Sequence, residues 1–378
     1  MIYVVYDNDY EVFLGANYRP ESEVLIDTTE RILSACEDIG VRMTLYCDVT
    51  CLWRYRELGH NSFPEAVDAQ LQRAVQRGHD VQAHIHPHWL VTEIIRDEPG
   101  IVKYEFERAK FFLGNWIPEG GPALRRFCAD VLRRAKTYLE DLLRPVNPSY
   151  RCIAFRAGGY GLQPNAGDVL WALRDAGYLI DSSVVPGVVD HSNVGHMDFS
   201  KVPRQGNYFI SPETGLEQAA KEGLFEVPLV ALRGARARWS IAKMVPLAAT
   251  EYLRREPTPR PLGISIQSKD AGIDKRLNAL SRVASLSRRL MRGRWGPLRL
   301  TTNASIMVDV TRSYIDQHGG GRQDLYFAVT CHSKSVHPAV IEAFKLYHHR
   351  LSGIYGNRLK AITLQEVARN LEGKLEAG

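Results

Sequence analysis

Three histidines fall within five residues at His84-Ile85-His86-Pro87-His88, in a chain that holds only 12 histidines. On an extended chain all three side chains point to one face. If the chain turns helical, His84 and His88 are neighbours at i and i+4. Pro87 disfavours a regular helix through His86. Either geometry lets His84 and His88 converge on one ion, and imidazole is the commonest nitrogen ligand of zinc. A polar loop of three surface histidines is the plainer reading; the density of the cluster after an apolar run favours the metal.

Two imidazoles do not complete a hydrolytic centre. A carboxylate and an open position are also needed, and Asp7-Asn8-Asp9 follows the apolar run IYVVY. Two acids at a strand end can divide the labour, one binding the ion and the other accepting a proton from water. Taken alone, the triplet equally suits a turn. His332 follows LYFAVT, where a histidine could donate a proton or simply be hydrogen-bonded. Arg156 precedes Gly158 and Gly159, a tight turn where a guanidinium could hold a carboxylate and a glycine could bring a backbone N–H close to a substrate. Asp181 could orient His332 or cap the turn after it.

The elements that must position these groups alternate. An apolar run at 2–6 leads to a helical pattern at 27–39, a strand-like 41–48, a helix at 64–77, a strand through 84, a helix at 122–143, a strand at 152–156, a helix at 165–176 and a strand at 178–184. This rhythm predicts a parallel sheet with helices outside it, as a barrel or a doubly wound sheet. In such folds chemistry sits at the C-terminal strand ends, where Asp7, His84, Arg156, Asp181 and His332 all lie. The stretch 233–320 breaks the rhythm and reads as an insertion, after which a strand at 324–333 and a helix near 338–352 resume it.

In this order the motifs resemble those of the polysaccharide deacetylase family, the NodB homology region: YDND its first, GHDVQAHIHPHW its second, FRAGGYG its third, YLIDSSV its fourth and VTCHSKS its fifth. The resemblance covers about 1–190 and 323–370. It implies a distorted (β/α) barrel with an inserted cap, divided as 1–232, a basic insertion at 233–322, and 323–378. It further implies a divalent ion, zinc in the simplest case, held by Asp9, His84 and His88. Asp7 is then the general base, Arg156 orients it, the backbone near Gly159 stabilises the oxyanion, and His332 is the general acid, tuned by Asp181. The implied reaction removes an N-acetyl or similar acyl group from an amino sugar. The alternatives are a deformylase or amidase on another C–N substrate, or a sugar-binding protein without catalysis. Departures from the family pattern, among them Asn8 between the two acids, Ile85 after the first histidine and Trp89 after the last, indicate a divergent branch and leave open which aspartate is the base.

Composition sets the outer bounds. The chain has 378 residues, of which 45% are hydrophobic, and a net charge of +5. That size suits one barrel with an inserted subdomain, and so mild a charge gives no argument for a nucleic-acid partner. Six scattered cysteines read as reduced thiols. The N-terminus lacks the basic and apolar regions of a secretory signal, and no apolar run is long enough to span a bilayer. The expected location is therefore the cytoplasm, and the expected substrate a nucleotide- or lipid-linked sugar precursor. Residues 275–299 form a basic amphipathic pattern without an acidic residue. It reads as a packed cap helix with a solvated basic face, or as an element contacting a membrane surface or a substrate diphosphate.

Overall fold

The computed structural model describes residues 1–98, 100–192, 194–203, 205–231, 262–264, 297–319 and 323–376. The amphipathic pattern at 275–299, apart from its last three residues, and most of the 233–322 insertion lie outside the described residues.

Seven parallel strands carry the site. They are β1 (Ile2–Tyr10), β2 (Met43–Asp48), β3 (Asp80–Ile85), β4 (Ala154–Ala157), β5 (Ile180–Asp181), β6 (Leu224–Glu226) and β7 (Leu325–Cys331). Each pairs in parallel with the next from β1 to β6, and β7 returns to the other edge of β1. The circuit closes just beyond β6, where Leu229 bridges Ala328 in parallel and the Val230 N–H donates to the Ala328 carbonyl at 2.9 Å. The fold is therefore a distorted (β/α) barrel. The distortion lies between β6 and β7. At its lower end β6 pairs instead with an antiparallel hairpin, Tyr208–Ser211 and Gly215–Ala220. At its upper end the segment 298–300 is wedged in: the Leu298 N–H donates to the Val230 carbonyl and the Leu300 N–H to the Thr330 carbonyl.

The strands read as near-continuous apolar runs because both faces are covered. Val4, Val5, Leu45, Val81, Ala83, Phe155 and Phe327 are wholly buried. Outside lie α1 (Thr28–Asp38), α2 (Val49–Glu57), α3 (Ser62–Gln76), α4 (Gly121–Leu143), α5 (Ala166–Asp175), α6 (Ala304–His318), α7 (Pro338–Tyr355) and α8 (Leu364–Glu376). The helices predicted at 27–39, 64–77, 122–143, 165–176 and near 338–352 match α1, α3, α4, α5 and α7 within three residues at each end. The sequence reading lacks α2, α6 and the hairpin of Glu93–Glu98 with Ile101–Glu105. All six cysteines are free and buried, and among the described residues no helix is long and apolar enough to cross a membrane.

At the end of the barrel away from the site, Asp80 is buried at the start of β3. It accepts from Gln82 Nε2 at 2.8 Å, the Gln365 N–H at 3.2 Å and Thr44 Oγ1 at 3.4 Å. Burial outweighs these bonds and pushes its pKa up to about 6. A folded-state pKa above the unfolded one means that protonation stabilises the fold. The contribution is complete below the unfolded value and is lost as pH rises through about 6. The stability of the native protein relative to Asp80→Asn should thus fall by on the order of 1 kcal/mol between about pH 5 and about pH 8. Urea unfolding of both proteins at the two pH values checks this; a difference that does not change with pH contradicts it.

Candidate metal and hydrolytic site

Side chains alternate along an extended chain, so Asp7, Asp9 and Glu11 all project toward the barrel axis. All three are buried. The same alternation carries His84 on β3 to His86 just past it, because His86 keeps an extended backbone (φ −108°, ψ 93°). Pro87 then opens a short 3-10 turn, Pro87–Val91, which takes His88 off the strand direction. The result is one group of donors: one ligand atom each from Glu11, His84 and His86 lies within 4.8 Å of the others. Glu11 Oε2 is 2.7 Å from His86 Nε2 and 3.7 Å from His84 Nε2. Among the described residues Asp9, His84 and His88 form no such group.

His88 instead enters an aromatic cluster. Its ring centroid lies 4.1 Å from that of Phe106, 5.0 Å from Phe111 and 5.2 Å from Trp89. Burial, and then the neighbouring His86, hold its pKa well below the usual imidazole value.

The Glu11 group suits a divalent ion. His84 Nδ1 lies 2.9 Å from the Arg156 carbonyl. That bond puts the ring proton on Nδ1 and leaves the Nε2 lone pair facing Glu11, the arrangement that orients metal-binding imidazoles. Glu11 Oε2 thus faces the Nε2 atoms of both imidazoles. Burial raises the Glu11 pKa, but Lys334 and the two histidines outweigh it and hold the carboxylate well below its usual range. Lys334 Nζ donates to Glu11 Oε1 at 2.7 Å and to the Val12 carbonyl at 2.9 Å. Among the described residues the three buried acids Asp7, Asp9 and Glu11 are met by two buried cations, Arg156 and Lys334, a balance that a further cation would improve.

Arg156, at the end of β4, is wholly buried. Its Nη1 and Nη2 grip Asp7 at 2.6 and 2.8 Å, and Nη1 also reaches Asp9 Oδ1 at 2.8 Å. Ser182 takes Nε on its carbonyl and Nη2 on its hydroxyl. Both Asp7 oxygens are thereby engaged. Asp9 keeps Oδ2 toward His332 Nε2, at 3.4 Å. Burial raises the Asp9 pKa, yet Arg156, then His332 and His84, hold it below the usual value. Burial, and then the charge of Arg299, push His332 down to about 3, so its ring is neutral near pH 7. Asp181 does not serve His332: it accepts from the Ser183 N–H and hydroxyl and bonds Glu226 on the next strand. Gly159 and Tyr160 follow Arg156 in a turn at the same end, with φ of 60° and 61°. Gly158 packs on His86 and the Ile85 backbone, where a Cβ would fall 2.5 Å from ring atoms Cγ and Nδ1 and from the Ile85 carbonyl oxygen.

Glu11 and Lys334 were not singled out from the sequence. The Asp-x-Asp-x-Glu alternation in 7–11 is the pattern that could have found Glu11, given a strand through 10. Lys334 has no comparable mark.

No family model matches the chain, and no curated protein sequence matches it. It is similar to two solved structures assigned as polysaccharide deacetylases. For the one from Mycobacterium smegmatis the identity is 12% and the TM-score 0.45, over 99% of this chain and 91% of that one. For the one from Pseudomonas aeruginosa PAO1 the values are 11% and 0.43, over 97% and 90%. Puue allantoinase is similar at 10% identity and a TM-score of 0.42, over 97% and 89%.

Two substitution series separate the ligand sets. Glu11→Gln, His84→Ala and His86→Ala should each weaken zinc binding by at least on the order of a hundredfold, while His88→Phe, which keeps the aromatic packing, should leave zinc affinity near native. Gly158→Ala should weaken zinc binding and also lower stability, since the added methyl presses on both the His86 ring and the Ile85 carbonyl. Zinc titration with circular dichroism as the folding control checks both. Loss of zinc in His88→Phe with retention in His86→Ala would assign the ion to Asp9, His84 and His88.

Proposed function

We propose that this protein is a metal-dependent hydrolase that removes an acetyl or similar small acyl group from the nitrogen of an amino sugar. The carrying observation is the convergence of Glu11, His84 and His86 beside a carboxylate, Asp9, and a neutral imidazole, His332. The resemblance of the five motifs supports the substrate class. Glu11, His84 and His86 would hold the ion, with zinc the natural occupant of a one-carboxylate, two-imidazole set. When bound, such an ion polarises a carbonyl oxygen and makes a neighbouring water more acidic.

Each remaining task falls to a residue of the chain. Amide hydrolysis forms a carbon–oxygen bond, breaks the carbon–nitrogen bond and moves one proton from water to the departing nitrogen. Asp9 Oδ2 is the proposed acceptor of that proton, because both Asp7 oxygens are occupied by Arg156. Arg156 keeps Asp9 ionised and fixes its direction through Oδ1. His332, uncharged at rest and 3.4 Å from Asp9 Oδ2, takes the proton over and delivers it to the nitrogen as the bond breaks. The Gly159 N–H, in the turn after Arg156, is the proposed donor to the developing oxyanion. Asp7 is the anchor of Arg156 rather than the base.

Asp9→Asn and His332→Ala should each lower kcat by about a hundredfold to ten-thousandfold with zinc content unchanged. The check is loss of an acetyl group, followed by mass spectrometry, from N-acetylated amino sugars and their nucleotide-linked forms. If Asp7→Asn abolishes turnover in a fully stable protein while Asp9→Asn retains it, Asp7 is the base. Binding of these sugars by the zinc-loaded protein without any acetyl loss would favour a sugar-binding protein.

A further inference from the structure

Arg299 stands in the wedge between β6 and β7, and its neighbours fix where it points. It bridges Thr330 in parallel. Paired residues of adjacent strands project to the same side of a sheet, and Thr330 projects inward, since its Oγ1 accepts from Arg156 Nη1 at 3.2 Å. Leu298 and Leu300 alternate with Arg299 and are buried, whereas Arg299 itself is exposed. The backbone that carries it is tied on both sides, to Val230 and to Thr330. The backbone of Arg299 is thus fixed at the site end of the barrel, and its charge reaches His332 and Tyr160.

Nothing described answers that charge. Among the described residues no acid lies within ion-pair distance of Arg299, in contrast to Arg156 and Lys334 in the same barrel mouth. On the two residues its charge reaches, the Tyr160 hydroxyl and His332 Nδ1 are buried polar atoms without a hydrogen-bond partner among the described residues. An exposed cation with an unsatisfied buried hydroxyl in its field suits an anionic ligand group: a planar fork for two oxygens and a hydroxyl for a third.

We propose that Arg299 is a specificity-determining residue that binds an anionic group, a phosphate or a carboxylate, carried by the substrate, with the Tyr160 hydroxyl as a second donor to it. That the anion belongs to an acylated amino sugar rests on the function proposed above; that the barrel mouth binds an anion does not. The two possible sources, a phosphorylated or nucleotide-linked sugar and a sugar acid, share this chemistry and are separated by the probes.

The test has a binding arm and a turnover arm, both on the zinc-loaded full chain. In the first, calorimetry measures inorganic phosphate and acetate binding to the native protein and to Arg299→Gln, Arg299→Lys and Tyr160→Phe. Phosphate affinity should fall about tenfold or more in Arg299→Gln and be partly restored in Arg299→Lys. It should fall less in Tyr160→Phe and weaken with added salt in the native protein. Any phosphate held by zinc alone binds native and Arg299→Gln protein equally, so equal affinities overturn the inference, as does absence of phosphate and acetate binding. The preferred ion of the two names the source. In the second arm, N-acetylglucosamine is compared with its 1-phosphate and with its uronic acid counterpart. The kcat/KM ratio of charged to neutral sugar should exceed one in the native protein and fall about tenfold or more in Arg299→Gln. Acetyl loss from the neutral sugar with no Arg299-dependent anion binding would sink this inference and leave the proposed reaction standing. Arg299-dependent anion binding with no acetyl loss from any sugar would do the reverse.

Discussion

A guanidinium with no contact to water has to be neutralised, and the barrel of this protein is arranged around that requirement. Arg156 at the end of β4 reaches across the axis to Asp7 on β1, with β2 and β3 between them in the wall. Removing one partner of such a pair leaves an uncompensated buried charge, at a cost of about 3 to 5 kcal/mol. The pair therefore ties opposite sides of the barrel mouth together. Ser182 on the adjoining segment takes two further donors, and the Tyr46 ring lies 4.3 Å from the guanidinium carbon. Arg156 has almost no freedom left, and its carbonyl is what aligns His84.

The site inherits its order from that constraint. Asp9 shares Arg156 with Asp7 but keeps one oxygen toward His332, while Glu11, one step further along the same face, is held by Lys334. Three acids on one strand face thus receive three different environments: Asp7 wholly engaged by a cation, Asp9 half engaged, Glu11 between a cation and two imidazoles. Alternation places the acids and ion pairing gives each its own surroundings. The distortion between β6 and β7 adds the last element, because the gap it opens admits the segment that carries Arg299.

Much of this was legible in the sequence. Strand–helix alternation gave the (β/α) order, and the apolar runs ending in Asp7, His84, Arg156 and His332 placed those four residues at one end of the barrel. The distinction between His86 and His88 was harder to read. Both lie on the face of His84 if the chain stays extended, and the outcome turns on where Pro87 ends the strand. The His86 backbone remains extended and His88 does not follow it. Glu11 was hidden because β1 runs through Tyr10, longer than the apolar run IYVVY suggests. Asp181 read as a partner for His332 because both sit at strand ends, but Glu226, its register neighbour on β6, takes it instead. Lys334 follows His332 in a turn whose path back to Glu11 depends on tertiary packing alone.

The most direct measurement is anomalous diffraction from zinc-loaded crystals at the zinc edge. The account predicts one strong peak within bonding distance of the Glu11 carboxylate and the Nε2 atoms of His84 and His86, with Asp9 Oδ2 and His332 facing it and His88 still packed between Phe106 and Phe111. A peak bound by Asp9 and His88, or one lying outside the barrel mouth, would contradict it.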